Sequence, residues 1–176
     1  MCAPRCRRVF PCGAIPVPAG GHDVSLPHLD NDLIEVIFRR LDRIPPDAAP
    51  RWGKMDRAAM VRHLIWAVRY SMGRSPELPP LHNWLTRALV KPVLLGGWIR
   101  MPRNVQLPEE YRRREIVLQE PGDDETLRAI LEEYVNLVQA DEFIPRDHPL
   151  FGPMTVDDWD RMHVIHFDHH LRQFGV

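Results

Sequence analysis

Four stretches of the chain repeat their apolar residues at the spacing of an amphipathic helix. In the first, for example, Leu33, Ile37 and Leu41 recur four residues apart. The four predicted helices run over residues 30–43, 55–72, 124–140 and 156 to about 174. No stretch alternates apolar and polar residues convincingly, as a half-buried strand would. The pattern therefore predicts an all-α protein built as a four-helix bundle.

Capping residues support the limits of the first and last predicted helices. Asp30 or Asn31 can accept a hydrogen bond from the first turn of the first helix. Thr155 and Asp158 have the spacing of a capping box at the start of the fourth helix, and Gly175 offers a stop after its end. Both helices are therefore predicted with defined ends.

A long proline-rich connection, residues 75–121, joins the second and third predicted helices. A connection of this length indicates a crossover rather than a tight turn between neighbouring helices. Its middle, "LHNWLTRALVKPVLL", is expected to form one or two short helices.

The first 28 residues differ from the rest of the chain. They contain all three cysteines, Cys2, Cys6 and Cys12, together with prolines that interrupt any apolar run of a signal peptide. We expect residues 1–28 to be a disordered tail or to precede the true translation start, and residues 29–176 to form the bundle domain. The absence of cysteines from that domain suits a reducing cytoplasm.

Charge and hydropathy narrow the classes of partner. The net charge of -1 and pI of about 6.8 provide no basic excess to neutralise nucleic acid or an anionic membrane. No apolar run approaches the roughly 20 residues of a membrane span. We therefore expect a cytoplasmic protein that binds neither nucleic acid nor membrane.

One face of the fourth helix gathers most of the histidines in "HVIHFDHHLRQFG", residues 163–175. At 100° per residue, that face holds His163, His166, His170, Trp159 and Gln173. His169 falls at its edge, and Asp168 and Arg172 point elsewhere. His166 and His170 lie four residues apart, a spacing that lets two imidazoles meet one divalent metal.

The second helix supplies a third candidate ligand, His63, on the same stripe as Trp66 and Tyr70. Three imidazoles from two facing helices would leave one coordination position open, as in catalytic metal sites. Trp66, Tyr70 and Trp159 could then wall the pocket. The same pattern also fits hydrogen-bonded core histidines and ordinary aromatic packing, with no metal. His28, His82 and His148 are interpreted as loop residues, although His148 could border a site.

Two separated motifs resemble the DinB-like superfamily of helical metalloproteins, and most closely a branch without an assigned activity. They are "RWGKMDRAAMVRHL" and "HPLFGPMTVDDWDRMHVIHFDHHLRQFG", and the resemblance covers about residues 29–175. It implies a four-helix bundle with a long crossover and a divalent metal held by His63, His166 and His170. Superfamily members include S-transferases that use low-molecular-weight thiols such as bacillithiol or mycothiol, as well as isomerases and hydrolase-like enzymes.

The leading hypothesis is a metal-dependent S-transferase that activates a small thiol toward an electrophile. The alternatives are a metal-dependent hydrolase and a non-catalytic bundle that binds metal or acts in protein interactions. A glycine common after the arginine in other branches is replaced by Gln173, which weakens any transfer of thiol specificity. Zn or Ni is favoured as the metal, with Fe and Mn as alternatives, and a homodimer is one expected arrangement.

Overall fold

The computed structural model describes residues 28–103 and 121–176. Within them the chain forms five α-helices and no strand, which confirms the all-α prediction. The helices are α1 (Asn31–Leu41), α2 (Arg57–Ser71), α3 (Lys91–Leu95), α4 (Asp124–Gln139) and α5 (Val156–Gln173). A π-helical turn, Thr86–Val90, leads directly into α3.

Side-chain caps fix where the four long helices begin. The carboxylate of Asp30 accepts from the amide of Leu33 at 2.8 Å, so Asp30 rather than Asn31 caps α1. Thr155 and Asp158 form the predicted capping box of α5. Each cap satisfies an amide that the helix itself leaves without a partner. The observed limits of the long helices accordingly lie within two residues of the predicted ones.

The apolar stripes of the long helices meet in one core. Among its fully buried members are Ile37 of α1, Leu64 of α2, Leu131 of α4 and Phe167 of α5. This interior is the environment in which every polar group on the inner helix faces has to find a partner.

A paired ion bridge shows why α2 and α4 need a long connection. Arg57 at the start of α2 holds both carboxylate oxygens of Asp124, at the start of α4, at 3.1 and 2.6 Å. Arg74, just after the end of α2, also pairs with Glu133 in the second half of α4. The two helices therefore run in the same direction, and the chain has to return along the bundle between them. The predicted crossover is confirmed, and its residues 104–120 lie outside the described part.

Asp168 lies away from the histidine face of α5, and its burial was not expected from the sequence. Away from the histidine face it is buried, and it contacts Arg40 of α1 at 3.1 Å and Arg172 at 2.8 Å. Burial lowers the pKa of Arg40, while the Asp168 carboxylate opposes that shift. Part of the side of α5 that faces away from the histidines is therefore buried, and an ion pair there attaches α1 to α5.

Several expectations from the sequence stay predictions. The tail, with Cys2, Cys6 and Cys12, lies almost entirely outside the described residues, and its division from a domain over residues 29–176 is untested. None of the helices in the described residues has the length and apolar character of a membrane span. Cytoplasmic location, a homodimer and the absence of nucleic-acid and membrane partners likewise remain expectations.

Candidate metal centre

Three histidine side chains from two helices converge at one point inside the bundle. Nε2 of His166 lies 2.9 Å from Nε2 of His63 and 3.0 Å from Nε2 of His170. All three ligand atoms lie within 4.8 Å of one another. His166 and His170, on the predicted histidine face of α5, thus lie against His63 of α2.

Burial keeps these imidazoles in the neutral form that metal binding requires. It lowers the pKa of His63 to about 4, with a smaller contribution from His169. Burial, and then the neighbouring imidazoles, hold the pKa values of His166 and His170 well below 6.5. His170 is buried, whereas His63 and His166 remain partly accessible. The cluster is therefore uncharged at neutral pH, and two of its three residues keep some solvent exposure.

Gln173 determines which nitrogen of His170 carries the proton. The Gln173 amide nitrogen donates to the carbonyl of Trp52 at 2.7 Å, so the amide oxygen must be the atom facing His170. That oxygen lies 3.0 Å from Nδ1 of His170 and accepts the Nδ1 hydrogen. Nε2 of His170 consequently presents a lone pair to the other two histidines.

This arrangement of lone pairs fits a cation better than it fits hydrogen bonds alone. With no hydrogen on Nε2 of His170, that atom can only accept from His166. If His166 donates to it, His166 cannot also accept from His63, so the two short contacts cannot both be full hydrogen bonds. A divalent ion would satisfy all three nitrogens at once. Zn–N bonds of about 2.0–2.1 Å would separate neighbouring nitrogens by about 3.3 Å. The two short distances of 2.9 and 3.0 Å are near that value, and the third pair lies within 4.8 Å.

Residues 25–175 match the family DUF1569, described as a protein of unknown function. The chain belongs to the DUF1569 family. No curated protein and no solved structure matches the chain significantly. Membership in DUF1569 therefore supplies no activity, and the chemistry has to be argued from the site.

Aromatic side chains continue from the cluster along α2 of this DUF1569 chain. Trp66 stacks on His63 with ring centres 6.1 Å apart, Tyr70 follows Trp66 at 5.4 Å, and Trp159 follows Tyr70 at 6.4 Å. Of these three aromatic residues, only Trp66 stacks on a histidine of the cluster. Tyr70 and Trp159 are buried and extend it away from the site, as core packing does.

His163 lies on the predicted face but takes part in a separate buried contact. Its Nε2 lies 2.9 Å from the Ser71 hydroxyl. That hydroxyl donates to the carbonyl of Val68, so it accepts from His163. The His163 ring stacks on Trp159, and burial lowers its pKa to about 3. His163 thus supports α2 against α5 beside the cluster, as a neighbour rather than a member.

The contacts of several residues around the cluster could not be predicted from the sequence. Trp52 acts through its backbone carbonyl, and no local pattern could have shown this; the "RWGK" motif was the one signal near it. His148 is a partly buried residue whose ring lies 5.5 Å from Trp159, and burial lowers its pKa to about 3. His28 contacts the buried carboxylate of Asp160 at 3.1 Å. His169 packs edge-on against Trp52 and is only partly exposed.

Proposed function

We propose that this protein is a divalent-metal-dependent enzyme whose metal is held by His63, His166 and His170. The observation that carries the proposal is the convergence of three neutral Nε2 atoms at one point, on residues of which two keep some solvent exposure. Three protein ligands, which leave one coordination position for water or a substrate, are the arrangement of catalytic rather than structural sites. The resemblance of the two motifs to the DinB-like superfamily supports the same assignment.

The donor set favours Zn or Ni over Fe or Mn. Imidazole nitrogens suit Zn and Ni, a given nitrogen site generally binds Ni more tightly than Fe or Mn, and Mn prefers oxygen ligands. The three-histidine cluster includes no carboxylate, so its ligands would leave the charge of a divalent ion uncompensated. An anionic ligand at the remaining coordination position is therefore favoured electrostatically.

We infer that the ligand is a low-molecular-weight thiol. Its proton is released to solvent, and the thiolate sulfur forms a bond to an electrophilic carbon as a leaving group departs from that carbon. A divalent metal at this site would lower the pKa of a bound thiol, which is ordinarily about 8.5, and so supply a nucleophile at neutral pH. Gln173 and Trp52 hold His170 in the tautomer that faces the site. Trp66, stacked on His63, offers an aromatic surface beside the cluster, and sulfur contacts aromatic rings favourably.

The proposal is tested with metal-loaded protein, a panel of small thiols and a fluorogenic bimane acceptor, beside ester and amide substrates. Thiol conjugation that depends on metal and is lost in His166→Ala is the expected result. His82→Ala, which removes a loop histidine away from the cluster, serves as the matched control and should leave the rate unchanged.

Two outcomes would replace the thiol assignment. Ester or amide cleavage without any thiol requirement would identify a metal-dependent hydrolase. Stoichiometric metal with neither activity would favour a non-catalytic, metal-stabilised bundle that acts in interactions.

A further inference from the structure

A row of apolar side chains points to solvent along the segment that contains α3. Trp84 before the π-helical turn and Trp98 after α3 are 76% and 84% exposed. Between and beside them, further exposed apolar residues complete the surface, here named the tryptophan patch: Trp84, Leu85, Leu89, Val90, Val93, Trp98 and Ile99. Isolated exposed apolar residues are common, but a contiguous set that includes two tryptophans indicates a contact surface.

The patch is a fixed face of the fold. Leu94 and Leu95, on the inner side of α3, are buried in the core. Lys91 attaches the same helix to the start of α5, through Asp158 at 2.8 Å and the carbonyl of Pro153 at 2.6 Å. With its inner side anchored in this way, the outer side of the segment is held toward solvent.

The charge around the patch is strongly one-sided. Residues 78–103 contain four cationic side chains and no aspartate or glutamate. Lys91 is compensated by Asp158, but Arg87, Arg100 and Arg103 are exposed. The whole-chain charge of -1 averages over this local excess, which is why composition alone disfavoured an anionic partner.

Aromatic and cationic groups also share a groove at one end of the patch. The groove has a volume of about 420 Å³ and is lined by Trp84, Arg87, Lys91 and Phe151, among others. Tryptophan with arginine or lysine is the combination found where proteins meet the headgroup region of a bilayer. The groove therefore offers both an apolar wall and positive charge to an anionic headgroup.

We propose that the tryptophan patch docks the protein peripherally on an anionic lipid surface. The two tryptophans and the exposed aliphatic residues of the patch would enter the interface while the three exposed arginines contact lipid phosphates. A second copy of the chain is a poorer occupant, because pairing the patch with itself would bring the arginines of both copies together without an acidic partner in the segment. The inference is independent of the metal site.

The test uses full-length protein and sedimentation with vesicles of phosphatidylcholine, either alone or mixed with phosphatidylglycerol. Binding is expected only to the mixed vesicles and should weaken with added salt. The double variant Trp84→Ser, Trp98→Ser should bind at least about tenfold more weakly, since interfacial binding scales with buried apolar area. Arg100→Gln should weaken binding about fivefold.

Ile144→Ser provides the matched control, because Ile144 is also 84% exposed but lies outside the patch. It should bind like wild type, and metal content should be the same in all variants. Binding that ignores phosphatidylglycerol, or that survives the double variant, would overturn the proposal. So would an absence of vesicle binding together with a dimer that Trp98→Ser disrupts, since the occupant would then be a second copy.

Discussion

Replacing Gln173 by leucine tests whether the hydrogen bonds around the cluster serve metal binding. The change removes the acceptor for Nδ1 of His170 and the donor to the Trp52 carbonyl, while the apolar side chain keeps a similar size. His170 and Gln173 are only 5% and 3% exposed, so water cannot easily replace either partner. Both groups would be left buried without a hydrogen bond.

The magnitude follows from these two contacts. Loss of the partner that orients a histidine ligand typically weakens metal binding by about 10–100-fold, which corresponds to about 1.4–2.7 kcal/mol. Each buried group left unpaired also destabilises the metal-free fold by about 1–3 kcal/mol. Gln173→Glu keeps an acceptor for His170 but loses the donor to Trp52, so it should retain metal affinity better than Gln173→Leu while still destabilising the metal-free protein.

The assay is competition for Zn against a chromophoric chelator, with urea unfolding of each metal-free variant. Gln139→Leu makes the same substitution at an exposed position at the end of α4 and should match wild type in both measurements. A folded Gln173→Leu protein that binds Zn as tightly as Gln139→Leu would refute the reasoning, because Gln173 would then be a packing residue only.

Three further predictions concern the buried polar groups. Asp168→Asn should lower the free energy of unfolding by about 3–5 kcal/mol in urea titrations, because it leaves the guanidinium of Arg40 buried without a carboxylate. Tyr134→Phe should lower it by about 1–3 kcal/mol by the same measurement, since Tyr134 donates to the buried Asp160 at 2.8 Å. The stability of metal-free protein should fall as the pH drops from about 6.5 toward 3, because unfolded histidines protonate near 6.5 while burial holds the pKa of His148 at about 3. The fall should be shallower in His148→Phe.

Each of these has a result that would contradict it. Asp157 is exposed in the first turn of α5, so Asp157→Asn is the control for Asp168→Asn, and equal effects would show that the interior ion pair adds nothing. An unfolding free energy unchanged in Tyr134→Phe would mean that Asp160 needs no donor from the core. A stability that stays flat between pH 6.5 and 3 would show that the buried histidines take up protons in the folded state.

Local patterns in the sequence were sufficient to predict the four long helices and the histidine face of α5. The apolar period located all four long helices, and the Thr155–Asp158 spacing identified the capping box, because both features depend on residues within a few turns of one another. The wheel grouped His166 with His170 for the same reason. Placing His63 opposite them additionally needed an apolar stripe on a second helix and the resemblance in its motif.

The remaining features depend on contacts between residues far apart in the chain. The sequence around Asp168 does not predict that this residue pairs with Arg40, 128 positions away. Similarly, the helical periodicity places Gln173 on the histidine face, but it does not show that the amide nitrogen of Gln173 donates to the carbonyl of Trp52. A backbone acceptor has no sequence signature, so the role of Trp52 and the tautomer of His170 emerge only from the folded arrangement.

Metal analysis of untagged wild-type protein beside His63→Ala tests the central claim most directly. His63 is the ligand contributed by the other helix, so the site exists only if α2 and α5 pack as described. The account predicts close to one equivalent of divalent metal, Zn or Ni foremost, in wild type and its loss in a folded His63→Ala protein. Wild type that stays metal-free after incubation with these ions, or a His63→Ala variant that retains the metal, would contradict it.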